Sequence, residues 1–118
     1  MSSVNKVYLL GNLGHSPQLA YTADSGVAVV RLSLATTKKF TLANGDVRED
    51  TEWHRVVAYG RLAEVINEYV QKGNRLWVEG HLRTRKYTGK DGIEKYATEI
   101  IADSCQFFRN EATDGANR

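Results

Sequence analysis

Two stretches of the chain set aromatic rings beside fixed positive charge. They are Thr51-Glu-Trp-His-Arg-Val-Val-Ala-Tyr-Gly60 and Leu82-Arg-Thr-Arg-Lys-Tyr87. Both read as β-strands. In an extended strand successive side chains alternate faces, so Trp53, Arg55, Val57 and Tyr59 share one face. Arg83, Arg85 and Tyr87 share another. Flat rings stack on exposed bases, and guanidinium and ammonium groups track phosphates, so such a face suits a flexible polyanion with unpaired bases. The plainer alternative is a solvated sheet face carrying a few amphipathic aromatics. Two such stretches in one small chain weaken that alternative.

The elements that must hold these residues are mostly strands. Val4 to Leu13 is rich in Val, Leu and Tyr, and Gly11-Asn-Leu-Gly14 reads as the breaker that ends it. Val27 to Phe40 alternates: Ala28, Val30, Leu32 and Leu34 on one face, Arg31, Ser33 and Thr37 on the other. Ala43-Asn-Gly-Asp46 is a hairpin turn, and Thr51 to Gly60 the returning strand. Arg61 to Lys72 changes period. Leu62, Val65, Ile66, Tyr69 and Val70 form the apolar stripe of an amphipathic helix, with Gly73 as its C′ residue. Arg75 to Thr88 is a strand with Leu76, Val78 and Leu82 inward, Gly89-Lys-Asp-Gly92 a hairpin tip, and Lys95 to Phe108 the last strand. The order β-β-β-α-β-β predicts an all-β fold, the five-stranded Greek-key barrel called the OB-fold, with the helix between strands three and four. Residues 1–109 make the domain, and 110–118 a polar, flexible tail.

Composition is that of an ordinary globular protein. The 118 residues suit one domain with a core of its own, 42% are apolar and 25% charged, and net charge is only +2. Distribution says more than the sum. Arg31, Lys38 and Lys39 lie in an acid-free stretch, and Arg83, Arg85 and Lys86 cluster, while Asp46, Glu49, Asp50 and Glu52 gather elsewhere. The single cysteine, Cys105, excludes an intrachain disulfide and reads as a small core residue. No apolar run reaches the length of a membrane span, and the N-terminus lacks signal-peptide character. These features predict a cytoplasmic protein without membrane contact.

Order and spacing of several motifs resemble the bacterial-type single-stranded DNA-binding protein family. They are Asn5-Lys-Val, Gly11-Asn-Leu-Gly-His-Ser-Pro17, Leu34-Ala-Thr, Thr51-Glu-Trp-His-Arg-Val-Val, Leu62-Ala-Glu, Tyr69-Val-Gln-Lys-Gly73, Val78-Glu-Gly-His-Leu-Arg-Thr-Arg-Lys-Tyr87 and Ile101-Ala-Asp103. The resemblance runs from Asn5 to Phe108. It implies an OB-fold that assembles as a homotetramer and protects single-stranded DNA in replication, recombination and repair, without cofactor or catalysis, in the bacterial cytoplasm at the nucleoid. The family's stacking positions fall on Phe40, Trp53, Tyr59 and Tyr87. Members often carry Trp where this chain has Phe40 and Tyr87, and Phe where it has Tyr59; all keep a π-face. Phosphate contacts are implied for Lys38, Lys39, Arg55, Arg61, Lys72, Arg83, Arg85 and Lys86, and subunit contacts for His54 and Trp77. Most members also carry an acidic tip ending in Pro-Phe that recruits replication and repair enzymes. The chain ends in Glu111-Ala-Thr-Asp-Gly-Ala-Asn-Arg118, so a truncation and a short form both fit, and such partners are expected only of a longer chain bearing the tip.

Enzymatic readings find less support in the residues. His15, His54 and His81 lack metal-ligand spacing, no Cys-x-x-Cys occurs, and Gly11-Asn-Leu-Gly14 lacks the Lys-Ser/Thr of a phosphate loop. A metal-dependent OB-fold nuclease would need clustered inward carboxylates, and none is evident. An RNA-binding or primosome-type OB-fold is the rival binding module, since stacking platforms accept both sugars. A purely structural oligomerisation domain is the third.

Overall fold

The computed structural model describes residues 2–108; the tail expected at 110–118 lies outside the described residues. Six strands and one helix follow in order: β1 Val7–Leu13, β2 Gln18–Tyr21, β3 Ala28–Thr41, β4 Val47–Tyr59, α1 Arg61–Tyr69, β5 Arg75–Thr88 and β6 Glu94–Phe108. The sheet order is β1-β5-β6-β4-β3-β2. A further β1–β3 pairing, Asn12 with Ala35 and Leu13 with Leu34, closes the five longer strands into a barrel. The helix sits between β4 and β5, in the place expected of an OB-fold.

Hydrophobic alternation builds the barrel. Val30, Leu32 and Leu34 of β3, Val56 and Ala58 of β4, Leu76 and Val78 of β5, and Ile100 and Ala102 of β6 point inward into one cluster. Ala63 and Ile66 of α1, with Val70 after it, pack into the same cluster, so the helix closes one end of the barrel. Among the described residues no helix is long and apolar enough to cross a membrane.

Several boundaries differ from the sequence reading. β1 starts at Val7 and β4 at Val47, so the β3–β4 hairpin is a long ribbon around a tip where Gly45 has φ 90°. Gln18–Tyr21 adds a strand to the edge of β3 that alternation did not reveal. The helix ends at Tyr69, which is 64% exposed and outside the apolar stripe. Gly73 is therefore not the C′ residue. It lies in the next turn with φ 87°, and its N–H donates to Leu13 O. Leu82 is half exposed, because β4 and β6 pair only at Val56–Ile100 and Val57–Ile101 and then part. Leu82 lines the resulting cleft with Trp53, His54 and Thr98. Gly11 is no breaker; it is buried within β1.

Gly11 answers a packing need. A Cβ there would overlap the Ala35 carbonyl, where β1 crosses β3 to close the barrel. Gly80 meets the same constraint at the Ile101 carbonyl, beside the register shift in the β5–β6 ladder. Half-buried Cys105 packs against the core; burial pushes its thiol up to about 12, so it stays protonated and acts as a small apolar group. Gly11→Ala is expected to cost about 1–3 kcal/mol by overpacking. Thermal unfolding should show a lowered midpoint, whereas Lys90→Ala on the exposed β5–β6 tip should stay within about 0.5 kcal/mol. An unshifted midpoint for Gly11→Ala would contradict the close approach.

Candidate nucleic-acid interface

Register brings the two aromatic-cationic stretches onto one surface. In the β3–β4 ladder Trp53 faces Ala35, Arg55 faces Ser33, Val57 faces Arg31 and Tyr59 faces Val29. Parallel pairing of Val57 with Ile101 carries that face onto β6, and Ile101 pairs with His81 of β5. Down the β5–β6 ladder the same face then presents Arg83 opposite Glu99, Arg85 opposite Ala97 and Tyr87 opposite Lys95. Trp53, Arg55, Tyr59, Arg83, Arg85 and Tyr87 thus stand on the outer face of one continuous sheet.

The base of this face is dry. Val29, Val57 and Ile101 form a second buried cluster, outside the barrel. Strand parity turns Val57 outward with Trp53, as the sequence predicts, yet Val57 is 1% exposed. Aromatic and basic side chains surround an apolar floor.

Trp53 is 59% exposed and therefore no core residue. Its ring is not loose, however. A Cβ at Gly14 would lie 2.5 Å from the ring, so the absence of a side chain there lets the indole lie against the β1–β2 turn. The Gly14 N–H donates to Ser33 O at 2.8 Å, which ties that turn to β3. Tyr59 and Tyr87 are partly exposed, and the Arg85 guanidinium carbon lies 5.4 Å from the Tyr87 ring centroid, a cation–π distance.

Most other expected site residues lie elsewhere. Phe40 and Lys38 have the opposite parity on β3, paired with Arg48 and Asp50, so they occupy the reverse side of the β3–β4 ribbon. Lys86 is likewise on the reverse of β5, 3.1 Å from Glu94. Lys39 shares the Trp53 face and pairs with Glu49 at 3.5 Å. Arg61 opens the helix next to Tyr59 and Gly60, 3.9 Å from Glu64. Lys72 lies in the turn after the helix, its backbone N–H donating to Ser16 Oγ at 3.3 Å. Among the described residues, Lys38, Arg55, Lys72 and Arg83 have no acidic partner within 4 Å.

His54 points inward, where its Nε2 shares a 2.8 Å hydrogen bond with Thr36 Oγ1. Trp77 lies on a different surface, the outer face of β1 and β5. It is tilted against Tyr8 with centroids 6.1 Å apart, and its Nε1 donates to Glu79 Oε1 at 3.4 Å. Leu10 pairs with Trp77, and exposed Tyr8 and Phe108 extend this patch. Among the described residues, no group of three or more His, Cys, Asp or Glu is placed to hold a metal ion.

One group escaped the sequence reading. Glu99 is 4% exposed on the outer face, between Arg31 and Arg85. A signal existed: counting back from the Gly89–Gly92 tip pairs this acid, set just before the apolar Ile100-Ile101-Ala102 run, with Arg83. Runs of acids are the more visible pattern, and Glu99 is not part of one.

Comparison with known proteins agrees with the geometry. The family model described as "Single-strand binding protein family" matches residues 4–108. A single-stranded DNA-binding protein of Xanthomonas axonopodis pv. citri is 50% identical over 105 residues, which are 89% of this chain and 58% of that protein. One from Xylella fastidiosa is 44% identical over 112 residues, 95% of this chain and 68% of that protein. The chain thus spans under two thirds of the Xanthomonas relative. Among solved structures, the Plasmodium falciparum SSB complex with ssDNA superposes with TM-score 0.81 at 32% identity, covering 92% of this chain and 98% of that one. A deletion mutant of the single-stranded DNA binding protein from Thermus aquaticus gives TM-score 0.77 at 34% identity, covering 92% of this chain and 52% of that one. A barrel closed in this way, with its rings and arginines on one outer face and a family match over nearly all its length, belongs to the single-strand binding protein family.

Proposed function

We propose that this chain binds single-stranded DNA with little sequence preference and catalyses no reaction on it. The observation that carries the proposal is the shared face of Trp53, Arg55, Tyr59, Arg83, Arg85 and Tyr87. Each ring offers a stacking surface that any base can use, and the arginines between them meet the phosphates. Phe40 and Lys38, on the reverse of the β3–β4 ribbon, meet a strand that wraps over it, and Lys39, Arg61, Lys72 and Lys86 serve as flanking cations. The relatives are named for the same activity, and the Plasmodium protein was solved with its DNA. By the same likeness the chain protects exposed strands during replication, recombination and repair in the bacterial cytoplasm. Replication and repair enzymes are partners only if a longer native chain carries the acidic tip.

The active form is a homotetramer. Two features support this. The outer face of β1 and β5 exposes Tyr8 and Leu10 around Trp77, and large contiguous apolar patches usually mark contact surfaces. Strand β1 meets β3 only at Asn12 and Leu13, with Gly11 closely packed on Ala35, which leaves the Val7–Leu10 edge open to another copy. His54 acts at assembly through the cleft it lines beside Leu82. Sedimentation at micromolar concentration is expected to give four times the chain mass, and a lone monomer peak would defeat this assignment.

Trp53→Ala tests the binding face. An exposed platform is expected to leave stability within about 0.5 kcal/mol. Affinity for poly-deoxythymidine should fall by about 1–3 kcal/mol, the range typical of base–aromatic stacking in single-strand-binding proteins themselves. Unchanged affinity per folded molecule would sink the stacking role. A matched RNA competitor and labelled DNA incubated with a divalent metal complete the test. Preference for RNA, or cleavage of the strand, would favour the rival readings.

A further inference from the structure

Glu99 is the buried charged side chain of the described core, and it sits on the face that would receive a polyanion. Arg31 Nη1 donates to its Oε2 at 3.3 Å, and Arg85 Nε lies 3.4 Å from its Oε1. Arg31 belongs to β3 and Arg85 to β5, so the carboxylate on β6 links strands on either side of the β4–β6 junction. Arg85 Nε is itself buried and finds no hydrogen bond of adequate geometry. Charge holds the inner edge of that guanidinium.

Both arginines reach past Glu99 into solvent. Their side chains remain 61% and 42% exposed, and Arg85 continues over the Tyr87 ring. A guanidinium has five N–H donors, and Glu99 engages one edge of each. With Arg55, Ser33 and Gln18 the group lines a recess of about 520 Å³. That volume lies within the range of small-ligand sites, enough for one nucleotide unit of a strand.

An acid in this place opposes the attraction of phosphate, and burying it adds a desolvation cost. Field strength alone would be better served by a neutral residue. Geometry offers the compensation, because a long side chain already held loses less rotamer freedom when a ligand binds. We propose that Glu99 is a positioning residue, which presets Arg31 and Arg85 as a pair of phosphate-gripping forks and thereby adds Arg31 to the binding face. This rests on the single-stranded DNA reading above.

Glu99→Gln keeps the shape and removes the charge. If Glu99 were only an opposing charge, the variant would bind a deoxythymidine oligomer more tightly. Positioning requires the reverse, a several-fold weaker affinity at moderate salt despite the extra net positive charge. The slope of log affinity against log salt should become shallower by about 0.7 for each arginine that no longer neutralises a phosphate. Arg31→Gln should flatten the slope by a similar amount in the parent and by less in the Glu99→Gln background, a non-additivity that simple loss of stability does not produce. Glu99→Gln binding as tightly as the parent or tighter, with an unchanged slope, overturns the proposal. Should that variant fail to fold, Arg31→Gln decides alone: a flattened slope supports Arg31 as a phosphate ligand, and an unaltered one overturns it. Absence of binding by the parent chain would instead refute the single-strand reading itself.

Discussion

The whole proposed binding face depends on a junction only two residue pairs long. Strands β4 and β6 run parallel and meet at Val56–Ile100 and Val57–Ile101 before they diverge. Without that junction the sheet would not continue from β4 to β6, and Trp53 and Arg55 would not share a surface with Arg83, Arg85 and Tyr87. So short a ladder carries few backbone hydrogen bonds, and side-chain packing must supplement them. Val56 and Ile100 bury their side chains in the barrel, while Val57 and Ile101 bury theirs outside with Val29. The junction is therefore dry on both faces. The outer cluster explains why a surface ringed by arginines and aromatic rings carries valine at its centre.

Closure at this point also creates the space around it. Beyond the junction the β3–β4 ribbon and the β5–β6 hairpin separate, leaving a cleft lined by Trp53, His54, Arg55 and Leu82. On the outer face, Glu99 spans the junction through ion pairs to β3 and β5. Exposed ion pairs contribute little to stability, and buried ones offset their desolvation only with good geometry. The Arg31–Glu99–Arg85 group is thus better understood through where it holds two guanidinium groups than through what it adds to folding.

Much of this was legible in the sequence, because the relevant signals are local. Val30, Leu32 and Leu34 alternate with Arg31 and Ser33, and that period defines β3 and its inward face. Trp53, Arg55 and Tyr59 likewise keep the shared parity expected of them. Other features depend on tertiary contacts that no local pattern encodes. Gly11 reads as a breaker, yet its lack of a side chain serves the crossing of β1 over β3. Strand β2 is four residues long and largely exposed, so it has no alternation to detect. Leu82 looks like a core residue until β4 and β6 part beside it. Phe40 and Trp53 seem equivalent as aromatics, and only the ladder register separates their sides of the ribbon.

In the binding mode proposed above, one outer face, and not the apolar face around Trp77, receives the strand. Photocrosslinking with oligomers of 5-iododeoxyuridine, followed by mass-spectrometric mapping, tests it, because the crosslink forms preferentially where a base stacks on an aromatic ring. Crosslinks are expected at Trp53, Tyr59 and Tyr87. Crosslinks confined to Tyr8, Trp77 and Phe108 would contradict it.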